Sequence, residues 1–334
     1  MSEAMHTALD QRSQKTIAGL TFSDLYLEPN GAWFKASPRD RERRALSSHL
    51  ADEALELRKE LQQQKGALAF RAHWSGIDLR INRLVTLEGD VYICRRLHDP
   101  IAFADIGYPE RLRKAMLTDA FSRGGLVLFT GATGDGKSMS LASWLIERLK
   151  VFGGTACTIE NPIEMILQRQ YHGEKNVTGT CYQSEVRSDD EFGPMIIHLM
   201  RAAPTMIMLG EIRESKAARE AVLAGTSGHL VGSTLHANDL PTALERMKNM
   251  TREAGLDASF LADSLCAVFH QNMSVNRFGD EERRTVNVSP LIISGATNEE
   301  MIRANLREGD FSLLASEMQR QRRIADSTGE AMRF

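Results

Sequence analysis

Eight residues, Gly131-Ala132-Thr133-Gly134-Asp135-Gly136-Lys137-Ser138, fit the pattern G-x-x-x-x-G-K-[ST]. Their chemistry is anion binding: backbone N–H groups in a glycine-rich loop converge on phosphate oxygens, and the start of a helix adds partial positive charge. Lys137 is placed to reach the β- and γ-phosphates of a nucleotide, and the Ser138 hydroxyl to ligate Mg²⁺, with Met139 following at the rim of the cradle. The flanks give the pattern its weight. Leu126-Val127-Leu128-Phe129-Thr130 reads as a buried parallel strand, and Leu141, Trp144, Leu145 and Leu149 recur at helical spacing. A glycine-rich strand–helix turn without ligand is the competing explanation, and the complete pattern with both flanks correct disfavours it. Asp135 is out of character, a negative charge in an anion site whose side-chain direction the sequence leaves open.

Hydrolysis also needs acids at the carboxyl ends of neighbouring strands, where a doubly wound sheet builds its site. The strand Thr205–Leu209 runs into Gly210-Glu211, with Arg213 two residues on. The strand Thr155–Ile159 runs into Glu160-Asn161-Pro162-Ile163-Glu164, two carboxylates that include a candidate general base, or else a solvated surface turn. A third stretch, Gly228 to Asn238, carries His229 and His236 on either side of a strand, where they could report on a γ-phosphate from either end. No accompanying cysteine or acid spacing supports a metal site there.

These residues need a sheet to position them. After Pro109 the strand and helix signals alternate: helix to about Ser122, strand 126–130, strand 155–159, helix 192–202, strand 205–209, helix 215–224 and strand 230–235. Residues 241 to about 274 read as helical, with Phe260, Leu261, Leu265, Val268 and Phe269 as the apolar pattern; Asn287–Ile293 reads as a strand and 298–323 as helix. The alternation predicts a parallel sheet wrapped by helices. Upstream, Ser23–Leu27 and Ala32–Lys35 flank the turn Glu28-Pro29-Asn30-Gly31. Residues 38–66 carry the stripe Leu46, Leu50, Ala54, Leu57, Leu61, and strands follow at 67–74, 78–84 and 90–97. That is a small α+β domain over residues 1–99, with residues 1–18 loose, a linker at His98-Asp99-Pro100, and the phosphate-loop domain over 100–334.

Composition is compatible with this. The chain has 334 residues, 42% hydrophobic and 25% charged, with a formal net charge of −3. That charge argues against a protein that coats nucleic acid. No apolar run is long enough to span a membrane, and Met1–His6 lack the makings of a signal peptide, so a cytoplasmic chain is expected whose membrane association goes through a partner. Cys94, Cys157, Cys181 and Cys266 are scattered, which predicts buried thiols rather than disulfides or a zinc site.

Taken in order, the phosphate loop, Thr158-Ile159-Glu160-Asn161-Pro162-Ile163-Glu164, Met208-Leu209-Gly210-Glu211-Ile212-Arg213 and Gly228-His229-Leu230 to Thr234-Leu235-His236 resemble the Walker A, Asp box, Walker B and His box of secretion-superfamily ATPases. The PilT-like branch, which retracts type IV pili, is the nearest in pattern, with the DotB/TraJ-like branch of type IVB secretion and conjugation beside it. Weaker likeness runs from about Ser23 to Phe311. The resemblance implies a RecA-like ATPase domain preceded by a PAS-like domain. It also implies ATP hydrolysis with Mg²⁺, a homo-hexameric motor, and docking on an inner-membrane platform protein from the cytoplasmic side. It assigns Lys137 and Ser138 to phosphate and Mg²⁺, Glu164 to the general base, Glu211 to the acid that organises Mg²⁺, and His229 and His236 to the γ-phosphate or a subunit interface. Leu79-Arg80-Ile81-Asn82 and Cys94-Arg95-Arg96-Leu97 are similar to the family's two arginine motifs, which makes Arg80 and Arg95, with Arg96 as alternative, the arginines that meet phosphate charge.

The chain departs from the pattern twice, with Asp135 where most members have Ser and Asn161 where most have Asp. The absence of a four-cysteine knuckle disfavours the assembly-type branch. Met301-Ile302-Arg303-Ala304-Asn305-Leu306-Arg307-Glu308 is similar to the retraction-type A-I-R-N-L-I-R-E, whereas Asn161 and the long run from Tyr171 to Cys181 leave the secretion branch open. A nucleotide-binding scaffold with little turnover and a monomeric P-loop kinase are the other functions considered. The kinase explains neither the first domain nor the histidine motif.

Overall fold

The computed structural model describes residues 16–37, 40–64, 67–278, 281–327 and 334, and side chains are described for these except 276–278 and 281–284. The chain divides into two compact units: residues 1–99 with 164–166, and 100–163 with 167–334.

In the first unit, β1 (Asp24–Glu28), β2 (Gly31–Lys35), β3 (Arg44–Ala45), β4 (Ala69–Trp74), β5 (Ile77–Thr86) and β6 (Gly89–Arg96) form one sheet in the order β3-β2-β1-β6-β5-β4. Every pairing is antiparallel. The alternation of Leu25, Leu27, Leu79, Ile81, Tyr92 and Cys94 turns one face inward, and the helix Ser48–Leu61 covers it with Leu50, Ala54, Leu57 and Leu61. Each fully buried leucine contributes roughly 2 kcal/mol of transfer free energy. The helix is shorter than the 38–66 expected. Ser47 takes the extended N-cap conformation and Arg44–Ala45 pairs with β2, so Leu46 packs from outside the helix. Residues 1–15 of the expected loose start, and 38–39 and 65–66 at the ends of the expected helix, lie outside the described residues.

The second unit is built on β7 (Gly125–Gly131), β8 (Gly154–Glu160), β9 (Gln170–His172), β10 (Thr178–Glu185), β11 (Met206–Glu211), β12 (Leu230–His236), β13 (Leu265–Phe278) and β14 (Glu281–Ile292). Their order is β14-β13-β7-β12-β11-β8-β10-β9. The six strands from β13 to β10 run parallel, and β14 and β9 close the edges antiparallel. Helices Lys137–Phe152, Phe192–Met200 and Ser215–Thr226 cover the sheet. This is the mixed α/β fold with a parallel core that the alternation predicts.

Two expectations fail and one strand had none, each for a physical reason. Residues 241–274 are not one helical stretch. Helices Leu240–Glu253 and Ala258–Ser264 are followed by β13, in which Leu265, Ala267, Val268 and Phe269 are fully buried. A run buried on both faces has no period to separate strand from helix. β10 was not foreseen, because its sequence Thr-Gly-Thr-Cys-Tyr-Gln-Ser-Glu is polar, although it pairs with β8 over seven residues. Residues 298–323 are two helices, Glu299–Glu308 and Ala315–Asp326; Gly309 at φ 73° ends the first. All four cysteines are free and buried, and burial pushes their thiols above the usual range.

Candidate functional site

The parallel strands bring their carboxyl ends to one edge. In spatial order that edge carries Gln271 of β13, Gly131 of β7, His236 of β12, Glu211 of β11, Glu160 of β8 and Glu185 of β10. The phosphate loop leaves β7, which is buried along its whole length, and enters the helix Lys137–Phe152 through Gly136 at φ 82°. That helix is anchored by Leu141, Trp144, Leu145 and Leu149, and the Trp144 indole donates to the Met116 carbonyl at 2.9 Å. Ala132, Thr133 and Gly134 form an exposed lip, while Ser138 and Met139 sit half-buried on the first turn. Lys137 Nζ donates to the carbonyls of Gly131 (3.0 Å) and Ala132 (2.8 Å), so its ammonium lies over the loop.

Asp135 turns inward. Its Oδ2 accepts from the Ala132 N–H at 2.7 Å, and its Oδ1 from the Met273 N–H on β13 at 3.1 Å. The charge that looked misplaced in an anion site is held by two amide donors. His270 Nδ1 lies 3.0 Å from the Thr130 hydroxyl, and burial holds its pKa below the usual histidine value, against the opposing pull of Asp239 and Asp135.

His236 pairs in register with Gly131, and its carbonyl accepts from Arg246 at 2.7 Å. Glu211 lies two strands from the loop, roughly 10 Å at ordinary strand spacing. It follows a bulge at Gly210, whose carbonyl accepts from the Thr234 hydroxyl at 2.6 Å. Such bulges re-aim the next side chain, and Arg213 then holds the Glu211 carboxylate at 2.8 Å. Glu160 is 3% exposed and accepts from Thr158 (2.6 Å) and Gln183 (2.8 Å). Gln183 lies on the unforeseen β10, so nothing in the sequence near Glu160 advertised it.

His229 does not join this edge. It precedes β12 at the opposite end, where its carbonyl accepts from the Gly125 N–H at 2.9 Å. His236 is seven residues further along the strand, roughly 23 Å at 3.3 Å per residue, so the two histidines cannot read one phosphate from within one chain. Its Nδ1 is buried without a hydrogen-bond partner.

Glu164 is exposed and belongs to the first unit's cluster, in which Met165 bridges His98 and the Ile166 N–H donates to the His98 carbonyl at 3.3 Å. In that unit Arg80 and Arg95 are direct cross-strand partners, and Arg71 is opposite Arg80 on the other side. Directly opposed residues share a face, so three arginines form one row, against which Asp24 supplies a carboxylate 2.8 Å from Arg95. Arg96 points elsewhere: its guanidinium donates to the carbonyls of Ala18 (3.0 Å) and Leu20 (3.3 Å). Arg95, not Arg96, stands in the row with Arg80.

Asn161 donates to Asp189 at 3.2 Å, and Arg213 reaches the same carboxylate at 3.5 Å. An acid at 161 would face Asp189 as a like charge. N161D is expected to lose about 1 kcal/mol at pH 7.5. Because the pair would bind a proton more tightly folded than unfolded, the loss shrinks as pH falls toward 4, where a carboxyl of the pair takes up a proton. Urea titrations at the two pH values check this; equal deficits at both would refute it.

The sequence profile described as "Type II/IV secretion system protein" matches residues 35–309. The chain belongs to this family. Among curated relatives, the type IV pilus ATPase PilU of Pseudomonas aeruginosa is 41% identical over 159 residues, covering 46% of this chain and 38% of that protein. The type IV pilus assembly ATPase TfpB of Acinetobacter baylyi is 35% identical over 190 residues, covering 55% and 30%. Type II secretion system protein E of Pectobacterium carotovorum is 31% identical over 222 residues, covering 66% and 42%. The chain thus spans under half the length of these relatives. The fold is that of the pilus retraction motor PilT, solved with bound ADP, at a TM-score of 0.72 and 23% identity over 93% of this chain and 89% of that one. The ATPase DotB of Legionella pneumophila follows at 0.64 and 19% over 96% and 86%. Among the described residues no helix is long and apolar enough to cross a membrane.

Proposed function

We propose that this family member is an Mg²⁺-dependent ATP hydrolase working as a homo-hexameric motor of a pilus or related secretion machine. It would act at the cytoplasmic side of the inner membrane on a platform protein, with retraction as the favoured direction. The observation that carries the proposal is the single edge on which the phosphate loop, Lys137, His236 and Glu211 stand on adjacent parallel strands. The names of the matched pilus and secretion ATPases support it.

In this reading the loop amides from Gly134 to Met139 and the Lys137 ammonium hold the phosphates. Among the described residues no group of three or more His, Cys, Asp or Glu could hold a metal ion. Mg²⁺ would be held mainly by nucleotide oxygens and the Ser138 hydroxyl, with Glu211 acting on it through water. Bound there, Mg²⁺ would neutralise charge on the β- and γ-oxygens. Glu164, exposed and not committed to a buried network as Glu160 is, takes the proton of the attacking water. His236 senses the γ-phosphate, and Arg80 and Arg95 meet phosphate charge when the small domain (residues 1–99) moves against the ATPase domain (100–334). Given its place in the fold, His229 serves a subunit interface.

The test is steady-state phosphate release by the purified protein, with light scattering to size it in the presence of nucleotide. A ring-sized particle whose turnover falls at least 100-fold in E164Q is expected. A monomer under all conditions would defeat the motor. Asn161, where an acid is usual, favours a second reading as a nucleotide-binding assembly component; phosphate release near background, unchanged in E164Q, would establish that one instead.

A further inference from the structure

The phosphate loop has a rear wall that no sequence motif marks. β13 pairs with β7 as far as His270 opposite Thr130, and its next residues, Gln271 to Met273, run directly behind the loop. A Cβ on Gly131 would lie 2.3 Å from the Gln271 carbonyl oxygen, and one on Gly136 would lie 2.9 Å from the Met273 methyl carbon. Two of the motif's glycines are thus in contact with this strand. Asp135 fastens the assembly: its carboxylate takes the Ala132 N–H from the loop and the Met273 N–H from the strand. Its carbonyl accepts from the Gln271 amide at 2.5 Å, and the Gln271 oxygen accepts from Tyr108 at 2.5 Å. Gln271 is fully buried and Tyr108 nearly so.

From this chain of four hydrogen bonds we infer that Asp135 is a positioning residue. It clamps the phosphate loop onto β13, so nucleotide affinity is set jointly by the loop and the β13–β14 ribbon. A carboxylate suits the task better than a serine at 135. It accepts two amide N–H groups at once, and charge-assisted bonds of this kind are the stronger ones. A serine hydroxyl is shorter, and it cannot span from Ala132 to Met273 in this geometry. Preorganised donors bind a phosphate without the cost of ordering the loop, so loosening the clamp weakens binding before it alters chemistry.

The inference rests on the nucleotide-binding reading above, and its test separates the two. Hydrogen exchange at the Ala132 and Met273 amides is measured without nucleotide, and Mg²⁺-ADP affinity is measured with a fluorescent analogue, for wild type, D135S, D135N and K137A. In D135S both amides lose their charged acceptor; they are expected to exchange at least tenfold faster, and the Kd to rise about tenfold. D135N keeps one good acceptor and should fall between. K137A should lose binding with both amides still slow. Unchanged exchange in D135S and D135N overturns the clamp, and so does faster exchange with unchanged Kd, which would make the contact merely structural. A wild-type protein that binds no nucleotide defeats the ATPase reading, while the exchange data still report on the clamp.

Discussion

Replacing Lys137 by alanine is expected to lower kcat/KM for ATP by about a thousandfold, the scale seen when a preorganised charge is removed from a developing oxyanion. The structure makes this a clean test. Lys137 is half-buried at the first turn of its helix, and its ammonium donates to the loop carbonyls of Gly131 and Ala132. Removing those bonds costs on the order of 1 kcal/mol, and alanine is the better helix former. The variant should therefore fold, with β7 and the Leu141–Leu149 face intact. A phosphate-release assay over a range of Mg²⁺-ATP concentrations and a urea titration together check the prediction. Turnover at the wild-type rate would remove the loop from the chemistry, whatever its pattern.

The loop was legible because its signal is local. Strand, glycines, lysine and helix are contiguous, and their types alone constrain the backbone. Glu211 and His236 were legible for a related reason, since each ends a short run of five or six mostly apolar or β-branched residues that is too brief for a helix. What was not legible depends on pairing. Glu160 looked like one of two interchangeable acids beside Glu164. Its difference comes from Gln183, supplied by a polar edge strand that no periodicity marks. The two histidines of one motif looked equivalent because a strand reads the same from both ends. Only the parallel register shows that the loop shares an edge with His236 and not with His229.

The two departures from the family pattern became intelligible the same way. Asn161 answers Asp189, which is 28 residues away in sequence, and Asp135 answers Met273, 138 residues away. Each substitution looks like a loss while only its own motif is in view, and each has a hydrogen-bond partner once the fold closes. β13 shows the general limit. A segment buried on both faces carries no amphipathic period, so its role as the loop's rear wall could not be read from Leu265 to Phe269.

That wall makes the second large effect predictable. Gly131→Ala should destabilise the protein by about 3 kcal/mol, the upper range for forcing a methyl group into packed surroundings, because the new Cβ meets the Gln271 backbone oxygen at 2.3 Å. Backbone on both sides cannot step aside: β7 is held between β12 and β13, and Gln271 is fixed through Tyr108 and Asp135. Gly134→Ala is the control. It also sits at positive φ, +90°, but nothing lies within 4 Å of its Cβ position. Its cost should be that of the backbone conformation alone, about 1–2 kcal/mol. Urea midpoints for the two variants, with Mg²⁺-ADP affinity beside them, decide the matter. If the clash is real, Gly131→Ala loses both stability and binding, because relief requires β7 and β13 to separate beneath the loop. Equal stability losses in the two variants would mean that the strand yields, and that the first glycine of the motif is needed for its dihedral angles rather than for the strand behind it.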